Sequence, residues 1–281
     1  MIKVAGVPEH FNLPWYKALE SGLFRESGLD VAWTDVPEGT GRMCQMLREG
    51  AVDVAVLLTE GIVRDIAAGN PSRILQVYVQ TPLVWGIHVA AHSSYQTVDQ
   101  LQNARIAISR PGSGSQLMAY VHAKSKGWKV NELKFDIVNT IDGAIEALTQ
   151  GKADYFMWER FMTKPLVDQG IFRKIGECPT PWPCFVIAAR QECIDSRKAE
   201  LLELLRIVNR ISSEIKEEED LASQIAERFK LKKEDAAAWL AGTQWSQEIP
   251  TADMLNNVQN HLLEIGLMDK KDTFAHVVNA L

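Results

Sequence analysis

Short apolar runs and amphipathic stretches alternate along the first half of the chain. Residues 2–7 read as a strand. Residues 14–21 read as a helix, with Pro14 near its first turn and Gly22 as its stop. A second strand is expected over 29–36. Gly39-Thr40-Gly41 then opens a helix that ends at Gly50. Residues 52–58 are almost continuously apolar, as a strand buried on both faces should be. Thr59-Glu60-Gly61 starts the next helix, over 62–68.

The same alternation then resumes. Strands are expected at 85–91, 105–109, 135–139 and 153–157, with a helical turn at 98–101 and helices at 116–126 and 142–150. One more apolar strand follows at 184–189. Alternation with short connections predicts an α/β fold on doubly wound sheets. After residue 199 helical spacing takes over. Leu201, Leu204, Leu205, Val208, Ile211 and Ile215 predict a helix over 199–216. Further helices are expected over 221–240 and 254–263, and the acidic run Glu217-Glu218-Glu219-Asp220 reads as a solvated turn.

Two stretches echo each other. The helix ending in Glu49-Gly50 runs through Ala51-Val52-Asp53 into an apolar strand. The helix ending in Gln150-Gly151 runs through Lys152-Ala153-Asp154 into another. Each strand leads to a polar loop with a carboxylate, Glu60 in one and Glu159 in the other. This predicts two lobes of similar plan rather than a short-period repeat.

Composition narrows the function. Hydrophobic residues make up 46% and charged residues 23%, as in an ordinary globular protein. A net charge of -6 gives no electrostatic footprint for nucleic acid. No stretch approaches the roughly 18 apolar residues of a membrane span, so direct membrane insertion is not expected. Met1 leads straight into the first strand, so a cytoplasmic protein is expected. The alternative is a periplasmic or lipid-anchored one whose leader is removed. Cys44, Cys178, Cys184 and Cys193 form no CxxC pair and stand near no zinc-like histidine spacing. Reduced thiols are expected, with a Cys178–Cys184 bridge as the alternative. No cofactor or metal is called for.

Open α/β sheets bind ligands outside the carboxyl ends of their strands. The loops so placed carry His10, Phe11 and Asn12 after the first strand, and Thr40 after the second. Thr59 and Glu60 follow the third. Ser113, Gly114 and Ser115 follow the strand at 105–109, and Trp158 and Glu159 close the one at 153–157. These are the candidate ligand-binding residues. The Ser113-Gly114-Ser115 loop offers hydroxyls and backbone N–H groups at a helix start, which suits an anion or polar acceptor. The same serines fit plain N-capping. His10 could titrate near neutral pH, and Phe11 or Trp15 could stack on a flat ligand. Glu60 and Glu159 favour an amino or cationic group, or serve only the helix dipole. Trp158 and Trp182 fit either ligand contact or core.

Several segments carry a family resemblance. They are Ala18-Leu19-Glu20-Ser21-Gly22-Leu23-Phe24-Arg25-Glu26-Ser27-Gly28-Leu29-Asp30-Val31, Gly50-Ala51-Val52-Asp53-Val54-Ala55 and Thr97-Val98-Asp99-Gln100-Leu101 through Arg105-Ile106-Ala107. Gly112-Ser113-Gly114-Ser115 completes the set. In this order the chain resembles the type II periplasmic-binding-protein superfamily, in the branch that binds nitrate, sulfonates, taurine and thiamine precursors. The resemblance implies two α/β lobes around a central ligand cleft, with a helical C-terminal tail. One lobe would comprise 1–83 and 184–281, the other a central insert over 84–183, with two crossover strands as hinge. It implies capture of a small molecule (anionic, zwitterionic or aminopyrimidine-like) by hinge closure, and delivery to an ABC permease.

Two alternatives share the fold: a cytoplasmic ligand sensor, and an enzyme similar to the fungal thiamine-pyrimidine synthases. Those enzymes carry a dense cysteine cluster and a histidine just before the Ile/Leu-Pro segment. Here only Cys178 and Cys184 lie near the return strand, Asn12 precedes Leu13-Pro14, and the histidine stands two residues earlier. GxSxG, GxxxxGK[ST], HExxH and GxGxxG are all missing, so no catalytic residue is assigned.

Overall fold

The computed structural model describes residues 1–281. The elements in chain order begin with β1 (Ile2–Gly6), α1 (Leu13–Glu20), α2 (Leu23–Glu26), β2 (Val31–Asp35), α3 (Thr40–Glu49), β3 (Val54–Leu58), α4 (Thr59–Ala67) and β4 (Ser72–Val79). Next come β5 (Val84–Ala90), β6 (Arg105–Ile108), α5 (Gly114–Ser125), β7 (Lys134–Ile137), α6 (Ile141–Thr149), β8 (Tyr155–Glu159), α7 (Lys164–Asp168) and β9 (Phe172–Pro179). The last are β10 (Phe185–Arg190), α8 (Gln191–Glu214), α9 (Leu221–Phe229), α10 (Lys233–Gly242), α11 (Ala252–Glu264) and α12 (Phe274–Val277).

The chain divides into two compact units. The first comprises 1–81, 182–263 and 268–281; the second comprises 82–181 and 264–267. Each is built on one five-stranded mixed sheet, ordered β2-β1-β3-β10-β4 in the first and β7-β6-β8-β5-β9 in the second. In each, three strands run parallel and the fourth in order is antiparallel to both neighbours: β10 between β3 and β4, β5 between β8 and β9. Helices cover the sheets, as α/β architecture requires. No helix is long and apolar enough to cross a membrane.

The echoed stretches have one physical cause. Gly50 and Gly151 both take left-handed φ, 71° and 69°, which ends a helix without a Cβ penalty. Three residues on, Asp53 exchanges two bonds with the first strand of its sheet: its N–H donates to the Lys3 carbonyl (2.9 Å) and its Oδ2 accepts from the Lys3 N–H (2.9 Å). Asp154 does the same with Arg105, at 2.8 and 2.7 Å. Glycine stops the helix, and aspartate docks the next strand beside the one two strands earlier, β3 on β1 and β8 on β6.

The structure corrects the sequence reading at several elements. β4 and β9, the strands flanking the two crossovers, fall outside the strands expected from the pattern. The helix expected over 221–240 is two helices, broken at Lys230, whose φ is 57°. α8 starts earlier than expected and is interrupted at Arg197 (φ -134°, ψ 29°). None of the four cysteines is disulfide-bonded; all are buried. The stretch 244–248 hydrogen-bonds along the open edge of β4, through Gln80 to Gln244, Ser246 to Tyr78 and Val77 to Glu248, at 2.8–2.9 Å. That pairing covers an otherwise exposed sheet edge.

Candidate functional site

In the first unit the parallel order β2-β1-β3 brings three loops to one carboxyl edge. The loop after β1 forms a short 3-10 turn, His10–Asn12. Its position is fixed from β4 and from the tail: the Phe11 carbonyl accepts from the Tyr78 hydroxyl (2.9 Å) and the Trp245 indole N–H (3.0 Å). The Phe11 ring packs on Phe185 and Trp239. Asn12 is fully buried and donates from Nδ2 to the Val7 carbonyl at 2.8 Å. His10 lies against Trp239, with ring centroids 4.3 Å apart, and against Phe229. Burial pulls its pKa down to about 3, so the ring is neutral at physiological pH. The expectation that His10 titrates near neutral pH is therefore corrected. Trp15 is core, fully buried against Phe24 and Trp33.

Thr40, at the start of α3, accepts from the Leu58 N–H through Oγ1 at 3.1 Å. Thr59 and Glu60 begin α4, and both are tied to the segment where the chain returns from the second unit. The Thr59 N–H donates to the Cys184 carbonyl (3.0 Å), and Thr59 Oγ1 donates to the Pro183 carbonyl (2.6 Å). Trp182 Nε1 donates to Glu60 Oε2 at 2.8 Å. Glu60 is 4% exposed, and burial raises its pKa to about 6. Glu9, in the first loop, is raised to about 7 for the same reason.

In the second unit, Ser113 is the N-cap of α5, with its Oγ accepting from the Gln116 N–H at 3.4 Å. Ser115 Oγ accepts from the Ser109 N–H at 3.0 Å and lies 3.0 Å from Ser113 Oγ and 3.3 Å from Ser109 Oγ. The loop is thus a closed hydroxyl network, and capping occupies much of its capacity. Gly114 lies so near the Trp85 ring that a Cβ would come within 3.0 Å of it. Trp158 stacks on Phe156 (5.3 Å, 19°) and is half-buried. Glu159 ends β8, and its Oε2 accepts from the Phe161 and Met162 N–H groups at 2.9 and 2.8 Å.

The structure thus places His10, Phe11, Asn12, Thr40, Thr59 and Glu60 at the carboxyl edge of one sheet. Ser113, Gly114, Ser115, Trp158 and Glu159 lie at that of the other. The aromatic frame of Tyr78, Trp239 and Trp245 around the first loop has no sequence signal, because it comes from distant segments. No group of three His, Cys, Asp or Glu side chains converges to hold a metal ion.

Residues 85–178 match the family described as Ca3427-like PBP. The Candida albicans CA3427 gene product, reported to define a family with the generic periplasmic-binding-protein fold, is 26% identical. The match covers 97% of this chain and 92% of that one, with a TM-score of 0.86. The alkanesulfonate-binding protein SsuA of Xanthomonas axonopodis pv. citri, solved bound to MOPS, is 15% identical. That match covers 100% and 98% of the two chains, with a TM-score of 0.82. PhnD1 of Prochlorococcus marinus, solved with methylphosphonate, is 12% identical, covering 95% and 98%, with a TM-score of 0.65. No curated protein matches the chain in sequence. The chain therefore has the periplasmic-binding-protein fold, and through residues 85–178 it resembles the Ca3427-like family.

Proposed function

We propose that this chain is a solute-binding protein that captures a small polar molecule between its two units by hinge closure, as the substrate-binding component of an ABC importer. The observation that carries the reading is the duplicated plan. Two units with the same strand order each gather polar side chains at the carboxyl edge of their sheet, where open α/β sheets hold ligands. Double crossovers support the hinge. Leu83 and Thr180 are paired through two hydrogen bonds, the Leu83 N–H to Thr180 Oγ1 (3.1 Å) and the Thr180 N–H to the Leu83 carbonyl (3.0 Å). The Cys184 N–H donates to the Thr81 carbonyl at 3.3 Å. Solved structures of similar fold hold small ligands, MOPS in one and methylphosphonate in another.

The test is a thermal-shift screen of small polar molecules, followed by small-angle scattering. A ligand at 100 times its dissociation constant should stabilise the protein by about 2.7 kcal/mol. It should also lower the scattering radius, because ligand binds the closed state more tightly. If a saturating ligand raises Tm and leaves the radius unchanged, hinge closure is wrong. If no molecule of any class shifts Tm, capture itself is wrong.

A further inference from the structure

The first unit carries a groove of about 460 Å³ that none of the candidate ligand-binding residues lines. One wall of it is α8. Leu202, Leu205, Arg206, Asn209 and Arg210 stand at i, i+3, i+4, i+7 and i+8, so they share one face of that helix. The face changes character along its length. It is apolar at Leu202 and Leu205 and cationic at Arg206 and Arg210, and Leu202 lies roughly 12 Å along the axis from Arg210. Leu75 of β4, Ile249 and Leu281 add apolar lining.

Two features set this groove apart from ordinary surface. Leu202 is 45% exposed and Ile249 48%, so two of the chain's six exposed large hydrophobic residues line the same groove. Single exposed apolar side chains are common, whereas apolar groups gathered in a concavity of this size mark a binding site. The charges beside them are unbalanced. Glu203 accepts from Arg206 at both oxygens, from Nε at 2.7 Å and from Nη2 at 2.6 Å. Arg210 makes no ion pair or hydrogen bond through its guanidinium and reaches Glu203 only through longer-range charge. Two guanidiniums thus share one carboxylate, and the N–H donors of Arg210 are left for another acceptor. The polar lining is held in place. The Gln76 and Asn209 amides donate to each other at 2.8 and 3.0 Å, and Gln76, 4% exposed, also donates to the Ser246 carbonyl at 3.3 Å.

We propose that this groove is a binding site, separate from the strand-end loops, for a single-chain amphiphile with an anionic head. The alkyl chain lies along Leu202, Leu205 and Ile249, and Arg210 holds the head. Burying alkyl surface supplies affinity in proportion to chain length. The planar guanidinium supplies a fork of charge-assisted N–H bonds to a carboxylate or sulfonate. A cationic amphiphile would bury the same chain but set its head against Arg210. A peptide would bring its polar backbone onto the apolar end, which has no groups to satisfy it. The site does not depend on the capture reading above.

The experiment follows amide chemical shifts of the full chain during titration with decanoate, kept below its micelle concentration. Two controls run beside it: butyrate, which lacks the long chain, and decyltrimethylammonium, which reverses the head charge. Decanoate should saturate a single site, shift the amides of 202–210 and 247–249, and bind at least about tenfold more tightly than either control. Arg210→Gln should weaken decanoate at least about fivefold. Glu203→Gln, which releases Arg206 for the head, should tighten it by about threefold or more. A gain in affinity cannot come from a failure to fold, so this variant keeps the test decisive. Decyltrimethylammonium binding as tightly as decanoate overturns the proposal, as do shifts that fail to saturate or that centre on other residues. So does a Glu203→Gln variant whose affinity is unchanged or lower. Vesicles of phosphatidylglycerol form a separate arm: binding to vesicles with none to free decanoate overturns the site in favour of a membrane contact.

Discussion

Gly61 and Thr40 show how tightly the candidate site residues are fitted into their own unit. Gly61 lies in the first turn of α4, and a Cβ there would stand 2.3 Å from Thr40 Cγ2. Thr40 cannot move freely, because its Oγ1 holds the Leu58 N–H. In an open helix, Gly→Ala gains roughly 0.5–1 kcal/mol. Here Gly61→Ala should instead destabilise by about 1–3 kcal/mol through overpacking. Thr40→Ser keeps the hydroxyl and removes the methyl, so Thr40→Ser combined with Gly61→Ala should recover most of the loss. Urea denaturation of the four members of this cycle measures it, and additive effects would show that the two sites do not touch. Thr40 and Glu60 were nameable from sequence, since both follow predicted strands. Their constraints were not, because Gly61 meets Thr40 and Glu60 meets Trp182 across long stretches of chain.

The element scale separates what local chemistry writes from what packing adds. The helix–Gly–x–x–Asp–strand unit was legible twice, and the structure gives its reason in the paired bonds of Asp53 to Lys3 and Asp154 to Arg105. The start of α5 was legible as a serine loop whose capping and ligand readings stayed open. Its hydroxyls prove unequal. Ser113 makes a long capping bond of 3.4 Å, whereas Ser115 takes the buried Ser109 N–H at 3.0 Å. Losing a cap costs about 0.5–2 kcal/mol, and stranding a buried donor costs about 1–3 kcal/mol. Ser115→Ala should therefore lower Tm more than Ser113→Ala; the reverse order would mean the network is not formed in solution. β9 escaped the pattern because Arg173, Lys174 and Glu177 interrupt its apolar positions, as they can on an edge strand paired only with β5. The break at Lys230 escaped because lysine carries no signal for left-handed backbone.

At the scale of the whole molecule, buried titratable groups make stability depend on pH. His10, His88 and His122 are buried, and burial holds their pKa values at about 3, 4 and 4, against an ordinary 6.5. Their contribution is present above about pH 6.5. It is lost as pH falls toward those lower values, because the unfolded chain takes up protons that the folded one refuses. Glu9 and Glu60 act in the opposite sense. Their raised values near 7 and 6 mean that stability is full below about 4.5 and declines as pH rises through them. Three histidines with larger shifts outweigh two glutamates, so Tm should drop between pH 6.5 and 4.5. His122 is the cleanest probe, since neither ring nitrogen has a hydrogen-bond partner. His122→Leu should shrink that drop while changing Tm little at pH 7.5. An unchanged acid limb in His122→Leu would place the titration elsewhere.

The sequence by itself determined the α/β class, the strand–helix units, the repeated helix–Gly–x–x–Asp–strand stretch, and the loops at the strand ends. Each of these depends on consecutive residues, through side-chain period or a glycine's positive φ, whereas the docking of Asp53 on Lys3 and Asp154 on Arg105 depends on tertiary structure. Tertiary structure alone decided that β10 inserts antiparallel between β3 and β4. It alone closed Phe229 and Trp239 around His10 and kept that ring neutral. It also set the bond of Trp182 to Glu60, 122 residues away in sequence. Those features arise where distant segments meet, and burial, which fixes charge state and the supply of hydrogen bonds, exists only once they have met.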